Sequence, residues 1–320
     1  MVRHLLTLKD YTGEEIKTIL NKAIEIKKNP EDYRDVLKGK YGRITLIMLF
    51  QKTSTRTRLS FEDGMGQLGG HAIFVDWRTT QFKIADIRDE TRAMERYADI
   101  IMARLLKHET LMKMVKAART PIINGLCERY HPCQALGDVL TMIEKSGGSV
   151  DSLKGKKVVW LGIGNNVSNS LVMACTKLGA KITLCIAEKD KAAYDKELED
   201  QAKATSLYEE TTDLRCVKDA DFVYTDSWIN MEFFDDDGNV KEDFKEEIER
   251  RKEVFLPYQL SKALLDKYKS NAKIMHNMPC HPPYEITRDA IDHPNSIIFD
   301  QAENRLHIQK AIILHLLESV

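Results

Sequence analysis

Several short clusters in this 320-residue chain have the residue types needed to hold a small anion and the groups around it. The first is Ser54-Thr55-Arg56-Thr57-Arg58, set between an apolar run and a segment with helical spacing. Unpaired N–H groups at a helix start, together with the helix dipole, favour an anion there. The hydroxyls add donors, and a guanidinium grips phosphate oxygens in pairs. Capping explains one hydroxyl but not the whole run. The second is Arg104, at the end of the apolar stretch Asp99–Ala103. The third is His131-Pro132-Cys133-Gln134. Pro132 suits the first position of a helix, so His131 sits at its start and Gln134 one turn on. Histidine can donate to a developing oxyanion, and glutamine can read a planar amide.

Three more clusters follow strand-like runs. In Gly162-Ile163-Gly164-Asn165-Asn166 the third glycine of a dinucleotide loop would fall at Val167, which disfavours that use. Two asparagines at a helix start can instead hold a carboxylate. Thr225 to Met231 places Asp226 at a strand end, where it can pair with an ammonium group. His276-Asn277-Met278-Pro279 is a further strand-end loop, and Glu303-Asn304-Arg305 precedes the last helical stretch. Each has an ordinary alternative as a cap, a turn or a surface charge.

The elements needed to position these clusters alternate regularly. Strands are expected at Arg43–Phe50, His71–Val75, Asp99–Ala103 and Pro121–Asn124. Helices are expected at 5–28, 56–68, 87–97, 110–118 and 134–145. After a Ser146-Gly147-Gly148-Ser149 break the alternation restarts. Strands are expected at Lys157–Leu161, Lys181–Ile186, Asp221–Tyr224 and Lys273–His276, with a helix over 167–178. Phe233–Arg251 is densely charged and reads as a solvated loop and helix. The segment 304–317 reads as an amphipathic helix packing back on the first half. Such alternation implies α/β architecture: two doubly wound parallel-sheet domains joined by interdomain helices. The expected division is 1–145 plus 304–320 for one domain and 150–303 for the other, in line with ordinary domain size.

Composition narrows the class. Hydrophobic residues make up 43%, charged residues 30%, and the formal net charge is −1. No surplus of positive charge points to nucleic acid or an anionic membrane, so a small anion must be captured by a local cluster. The first residues lack the run of a signal peptide, and the longest apolar run falls far short of the ~20 residues that span a bilayer. Six scattered cysteines without a CxxC pair argue against a disulfide framework or a zinc site. They read as reduced thiols in a cytoplasmic protein.

Taken in order, the clusters resemble the aspartate/ornithine transcarbamylase family. Its pattern is S-x-R-T, then H-P-x-Q, then a strand-end acceptor loop, then H-x-x-P. This chain supplies Ser54–Thr57, His131–Gln134 and His276–Pro279, and the resemblance runs from the first helix to the last. The ornithine branch is more similar. It carries an asparagine pair (here Asn165-Asn166), D-x-W-x-S-M-G (here Asp226 to Glu232), E-N-R (here Glu303-Asn304-Arg305) and H-C-L-P (here His276–Pro279). Among the positions that depart are Asn230 for Ser, Glu232 for Gly and Asn277 for Cys. All three belong to the acceptor side. A putrescine-specific relative is also similar around Gln81 and Glu303–Arg305. The Asn pair that reads an α-carboxylate is kept, which favours an amino acid acceptor.

The resemblance implies transfer of a carbamoyl group from carbamoyl phosphate to ornithine or an ornithine-like amino acid, without metal or cofactor. It implies that Ser54, Thr55, Arg56 and Thr57 bind the phosphate. Gln81, with Lys83 near it, would reach in from a neighbouring copy of a homotrimer. Arg104, His131 and Thr57 would hold the carbonyl oxygen. Gln134 and the backbone carbonyls of Asn277 and Met278 would bind the carbamoyl NH₂, and Arg305 would add a cation. Asn166, Asp226, Asn230 and Met231 would hold the acceptor. Asn277 cannot take a proton, so the leaving phosphate would. The competing readings are a transcarbamylase for another amine, such as putrescine, lysine or an acylated ornithine, and a silent paralogue that only binds carbamoyl phosphate.

Overall fold

The computed structural model of the chain describes residues 2–40, 44–229, 233–235 and 239–319. Strand β1 (Thr45–Phe50) is an unbroken apolar run, TLIMLF, with all but its first residue buried. That composition suits a strand covered on both faces. With β2 (His71–Asp76), β3 (Ile100–Arg104) and β4 (Ile122–Leu126) it forms a parallel sheet of order β2-β1-β3-β4. The helices of this half are α1 (Gly13–Lys28), α2 (Val36–Lys40), α3 (Thr55–Gln67), α4 (Ile87–Met94), α5 (His108–Ala117) and α6 (Pro132–Glu144).

A second parallel sheet contains β5 (Lys157–Gly164), β6 (Lys181–Lys189), β7 (Tyr208–Thr211), β8 (Phe222–Thr225) and β9 (Lys273–His276), in the order β7-β6-β5-β8-β9. Its helices are α7 (Asn166–Lys177), α8 (Lys196–Lys203), α9 (Lys245–Phe255), α10 (Lys262–Tyr268) and α11 (Arg288–Ile291). The two-domain α/β architecture expected from the alternation is therefore present. Each sheet reverses direction once. The chain leaves β1 for β2, then returns to β3 on the other side of β1. It leaves β5 for β6 and β7, then returns to β8 on the other side of β5. Ligands of open α/β sheets bind beyond the strand ends at such reversals.

Two helices couple the halves. Pro132 to Ile143 of α6 are all buried, and α6 packs on α7 and on α12 (Ile298–Leu317). Helix α12 also packs on α1 and α3. The chain's last long helix thus returns to the first sheet's side.

Several expectations shift. The first helix begins at Gly13, not near Leu5, because Thr12 and Glu15 form a reciprocal capping box there. Leu5 instead bridges to Ile123, and Leu8–Asp10 form a 3₁₀ turn. Helix α12 begins at Ile298, so Glu303-Asn304-Arg305 lie within it, not before it. Arg43, expected to open the first strand, lies outside the described residues. Strand β7 and helices α8 and α10 were not anticipated. The charged stretch after Phe233 holds α9, whose Arg250 pairs with Glu188 and Glu247. Among the described residues no helix is long and apolar enough to cross a membrane.

Candidate active site

A cleft of about 700 Å³ lies between the carboxyl ends of the two sheets. Its first wall grows from β1 and β3. Ser54 caps α3: its hydroxyl accepts from the Thr57 N–H at 3.3 Å and donates to the Thr57 hydroxyl at 3.0 Å. Thr55 opens the helix, and Arg56 and Thr57 follow on its first turn. Arg104 ends β3 beside Phe50 of β1, at the reversal of the first sheet. Its guanidinium donates to the Gly125 carbonyl at 3.3 Å. His131 sits at the N-terminus of α6, with Pro132 at the first helical position. Arg305 of α12 donates to the Thr57 hydroxyl at 3.1 Å and to the Gln134 side-chain oxygen.

The electrostatics of this wall have one sign. Burial and the neighbouring Arg305 and Arg56 pull the Arg104 guanidinium down to about 9. Burial likewise lowers Arg56 and Arg305. His131 is held well below the ordinary histidine value by burial and then by Arg305, Arg104 and Arg56. It is therefore a neutral imidazole at neutral pH, able to donate one hydrogen bond without adding charge. Crowded, partly dehydrated cations of this kind are relieved by an anion. Buried atoms without a partner cluster here too: Arg104 Nε, His131 Nδ1, Arg305 Nε and Asn277 Oδ1. Leaving such atoms unpaired costs free energy, so their grouping marks a seat for a polar ligand.

Beneath the first wall lies a buried carboxylate, Asp138, one helical turn beyond Gln134. It accepts from Gln134 Nε2 at 2.8 Å, Gln301 Nε2 at 2.7 Å and the Tyr224 hydroxyl at 3.0 Å. Burial raises it to about 7 despite these three donors. Gln134 is thereby fixed with its amide nitrogen on Asp138 and its oxygen on Arg305.

The second wall is built from loops after β5, β8 and β9. Asn165 caps α7 through its side-chain oxygen and donates to Asp226 at 2.7 Å. Asn166 donates across the cleft to the Cys127 carbonyl at 2.6 Å. Asp226 follows β8 and also accepts the Ser227 N–H at 2.8 Å. After β9, Asn277 and Met278 line the cleft, and the Met278 carbonyl accepts from Arg56 at 2.7 Å. Glu285, buried behind this loop, is held at about 2: burial would raise it, but hydrogen bonds from His276 and His281 outweigh that. Glu285 and Cys280 pull His276 upward against its burial. The Met278 N–H nevertheless donates to His276 Nδ1 at 2.8 Å, which needs a lone pair there. The ring is thus the neutral tautomer, with Nε2–H donating to Glu285.

Most residues singled out in the sequence meet in this one cleft: Ser54, Thr55, Arg56, Thr57, Arg104, His131, Gln134, Asn166, Asp226, Asn277, Met278 and Arg305. Gln81 does not. It lies exposed on a short turn, Gln81–Lys83, away from the cleft of its own chain. Asn230 and Met231, with Glu232, lie outside the described residues. Sequence reasoning passed over Asp138, whose spacing of four from Gln134 placed it on the same helical face. It also passed over His281, a cleft residue two positions beyond the His276–Pro279 loop, and gave no role to Ser227 inside the Thr225–Met231 cluster.

Comparison with known proteins agrees with this geometry. The carbamoyl-phosphate binding domain of aspartate/ornithine carbamoyltransferase matches residues 3–144, and the Asp/Orn binding domain of the same family matches 154–316. An ornithine carbamoyltransferase of Pyrococcus horikoshii is 43% identical, over 99% of this chain and 96% of its own length. One of Bacillus subtilis is 39% identical over 97% of this chain and 92% of its own. The solved ornithine carbamoyltransferase of Pyrococcus furiosus is 41% identical, with a TM-score of 0.87 over 99% of this chain and 98% of that one. Paired parallel-sheet domains around a cationic cleft are here the frame of a carbamoyltransferase. The chain belongs to the aspartate/ornithine carbamoyltransferase family.

Proposed function

We propose that the enzyme transfers the carbamoyl group of carbamoyl phosphate to the side-chain amine of ornithine or an ornithine-like α-amino acid, giving citrulline or its analogue and phosphate. The observation that carries this is the pairing of walls. Two buried guanidiniums, Arg104 and Arg305, and the half-buried Arg56 face a wall bearing the Asn165-Asn166 pair and Asp226. The first wall fits a phosphorylated donor. The second fits a molecule with both a carboxylate and an amine.

In this reading the phosphate rests on Ser54, Thr55, Arg56 and Thr57, at the N-terminus of α3. Arg104, neutral His131 and Thr57 hold the carbonyl oxygen as it gains charge. Gln134 and the carbonyls of Asn277 and Met278 bind the carbamoyl NH₂, with Arg305 beside them. To do so, Met278 must exchange its bond with Arg56, and Arg56 turns to the phosphate. Asn166 takes the acceptor's carboxylate and Asp226 its ammonium end, with Asn230 and Met231 completing the pocket. The attacking amine must be neutral. A primary amine ionises near 10.4 in water, and entry into a dry cationic cleft lowers that value. Most of the acceleration then comes from positioning and electrostatics.

The same reading makes the enzyme a cytoplasmic homotrimer, with the donor domain over 1–145 and 304–320 and the acceptor domain over 150–303. Gln81 then serves a neighbouring copy's cleft. Support comes from its exposed position and from a second hollow of about 720 Å³ beside β2, lined by Leu59 and Phe74. It adjoins Ser54 and Thr55 from the outside, and Leu59 is 60% exposed.

Asn277 favours keeping a second reading, an acceptor amine other than ornithine's. Phosphate release is measured with carbamoyl phosphate and a panel of ornithine, lysine, putrescine and acylated ornithine. Ornithine is expected to lead. No turnover with ornithine above background rejects it. A preference of roughly tenfold for another amine, about 1.4 kcal/mol in the transition state, replaces it.

A further inference from the structure

We infer that His281 is the base that takes the proton from the acceptor's ammonium group, a catalytic role resting on the carbamoyl-transfer reading above. His281 lines the cleft four residues beyond Asn277, and its side chain is 27% exposed. Its ring is fixed on one edge. Nδ1 lies 3.1 Å from the Ser227 hydroxyl and 3.6 Å from the Glu285 carboxylate. The single proton of the Ser227 hydroxyl is committed to the Ile229 carbonyl at 2.8 Å. The hydroxyl therefore accepts from His281, and Nδ1 carries the hydrogen. Nε2 is left with the lone pair, on the ring edge turned away from Ser227 and Glu285.

The arrangement has the parts of a base held by an orienting group. Glu285 is anionic, buried and anchored by the His276 ring at 3.2 Å and the His281 N–H at 2.6 Å. The Ser227 hydroxyl fixes the tautomer, and the Glu285 carboxylate 3.6 Å from Nδ1 stabilises the imidazolium that forms when Nε2 takes a proton. Ser227 adjoins Asp226, the residue placed to receive the ammonium end. Among the described residues, the charged groups facing this loop include Arg56, bonded to the Met278 carbonyl, Asp226 itself, and Lys252, whose ammonium lies 5.0 Å from the Tyr284 ring centroid, with neutral His276 behind Glu285. Asn277 cannot ionise, so His281 supplies on this wall the proton acceptor that position 277 lacks.

The step balances. The acceptor arrives as R–NH₃⁺ and gives one proton to His281 Nε2. The freed lone pair forms the C–N bond at the carbamoyl carbon. The C–O bond to phosphate breaks, and its oxygen leaves with the electron pair. A second proton from the attacking nitrogen passes to the departing phosphate. The imidazolium then returns its proton to solvent.

The test compares wild type with His281→Ala and His281→Gln, reading kcat/KM for the acceptor and KM for carbamoyl phosphate across pH. At neutral pH each variant should lose about 10²-fold in kcat/KM for the acceptor, the usual contribution of a positioned base. KM for carbamoyl phosphate should stay unchanged, the acid limb of the wild-type profile should give way to one at higher pH set by the amine itself, and added imidazole should restore part of the rate to His281→Ala. Should His281→Ala fail to fold, His281→Gln decides alone, since it keeps the volume and a bond to Ser227 without an ionisable nitrogen. A variant that keeps the wild-type acid limb overturns the proposal and leaves carbamoyl transfer standing. A wild-type chain that turns over none of the amines overturns both.

Discussion

The two walls of the cleft are built on different principles. The first-domain wall is made of polar and charged groups set on regular elements, most of them at the ends. Ser54 to Thr57 open α3, Arg104 ends β3, His131 opens α6 and Arg305 lies on α12. Each position follows from helix or strand geometry, and the donor proposed for this wall, an acyl phosphate, accepts little variation in its partners. The second-domain wall is made of loops after β5, β8 and β9. Its side chains are held by one another: Asn165 on Asp226, His281 on Ser227, His276 on Glu285. Loops on a rigid frame can change residue without disturbing the sheet. On the proposed reading the donor is therefore fixed by the fold, while the acceptor is set by a few replaceable side chains.

The sharpest way to break that contrast is Arg56→Ala. It should lower kcat/KM for carbamoyl phosphate by about 10³-fold, whichever amine is offered, as loss of one preorganised donor commonly does. A loss confined to one amine would place Arg56 on the acceptor side. Next in size is Asp138→Ala, where the buried carboxylate ties α6 to Tyr224 of β8 and Gln301 of α12. It strands Gln134, Gln301 and the Tyr224 hydroxyl without an acceptor in a buried place. The expected cost is about 3 kcal/mol in unfolding free energy, read from denaturant midpoints, with activity falling for every amine alike. A cost below about 1 kcal/mol would mean the network is easily replaced by water.

How far the sequence carried follows the same division. Strands β1 and β3 were legible as apolar runs because both faces are covered. Strand β7, Tyr-Glu-Glu-Thr, was not, because it lies at the sheet edge with its two glutamates exposed. The start of α12 was missed because Ile297 caps it without a side-chain bond, leaving no residue type to mark the turn. The donor cluster was legible because its motifs coincide with helix starts. His281 and Glu285 were not, because their meaning lies in contacts with Ser227 and His276 across a loop. Asp138 carried a readable signal, its four-residue spacing from Gln134, but a buried aspartate is visible only once the helix is known to be covered on all sides.

Asn277→Cys probes the acceptor wall alone. If position 277 steers the enzyme away from ornithine, the variant should use ornithine about tenfold better, roughly 1.4 kcal/mol of transition-state free energy. KM for carbamoyl phosphate should not move. An unchanged or lower ornithine rate would assign the pocket to Asn230 or Glu232 instead.

The smallest effect separates the walls by pH. Burial and three guanidiniums hold His131 well below the ordinary histidine value in the folded chain. The unfolded chain takes up that proton near pH 6.5, and the folded chain does not. The unfolded state thus binds more protons below that pH, so the stability from a neutral His131 is complete above about 6.5. It is lost as pH falls, by up to about 1.4 kcal/mol per unit. His131→Asn has no such proton to take up. Its unfolding free energy should fall less steeply than that of wild type between about pH 6.5 and 5.5. Carbamoyl phosphate brings negative charge beside the imidazole and raises its proton affinity, so a saturating amount should flatten the wild-type curve toward that of the variant. Ornithine alone, seated on the opposite wall, should leave the difference in place. If ornithine flattened the curve as well, the two walls would not be electrostatically separate.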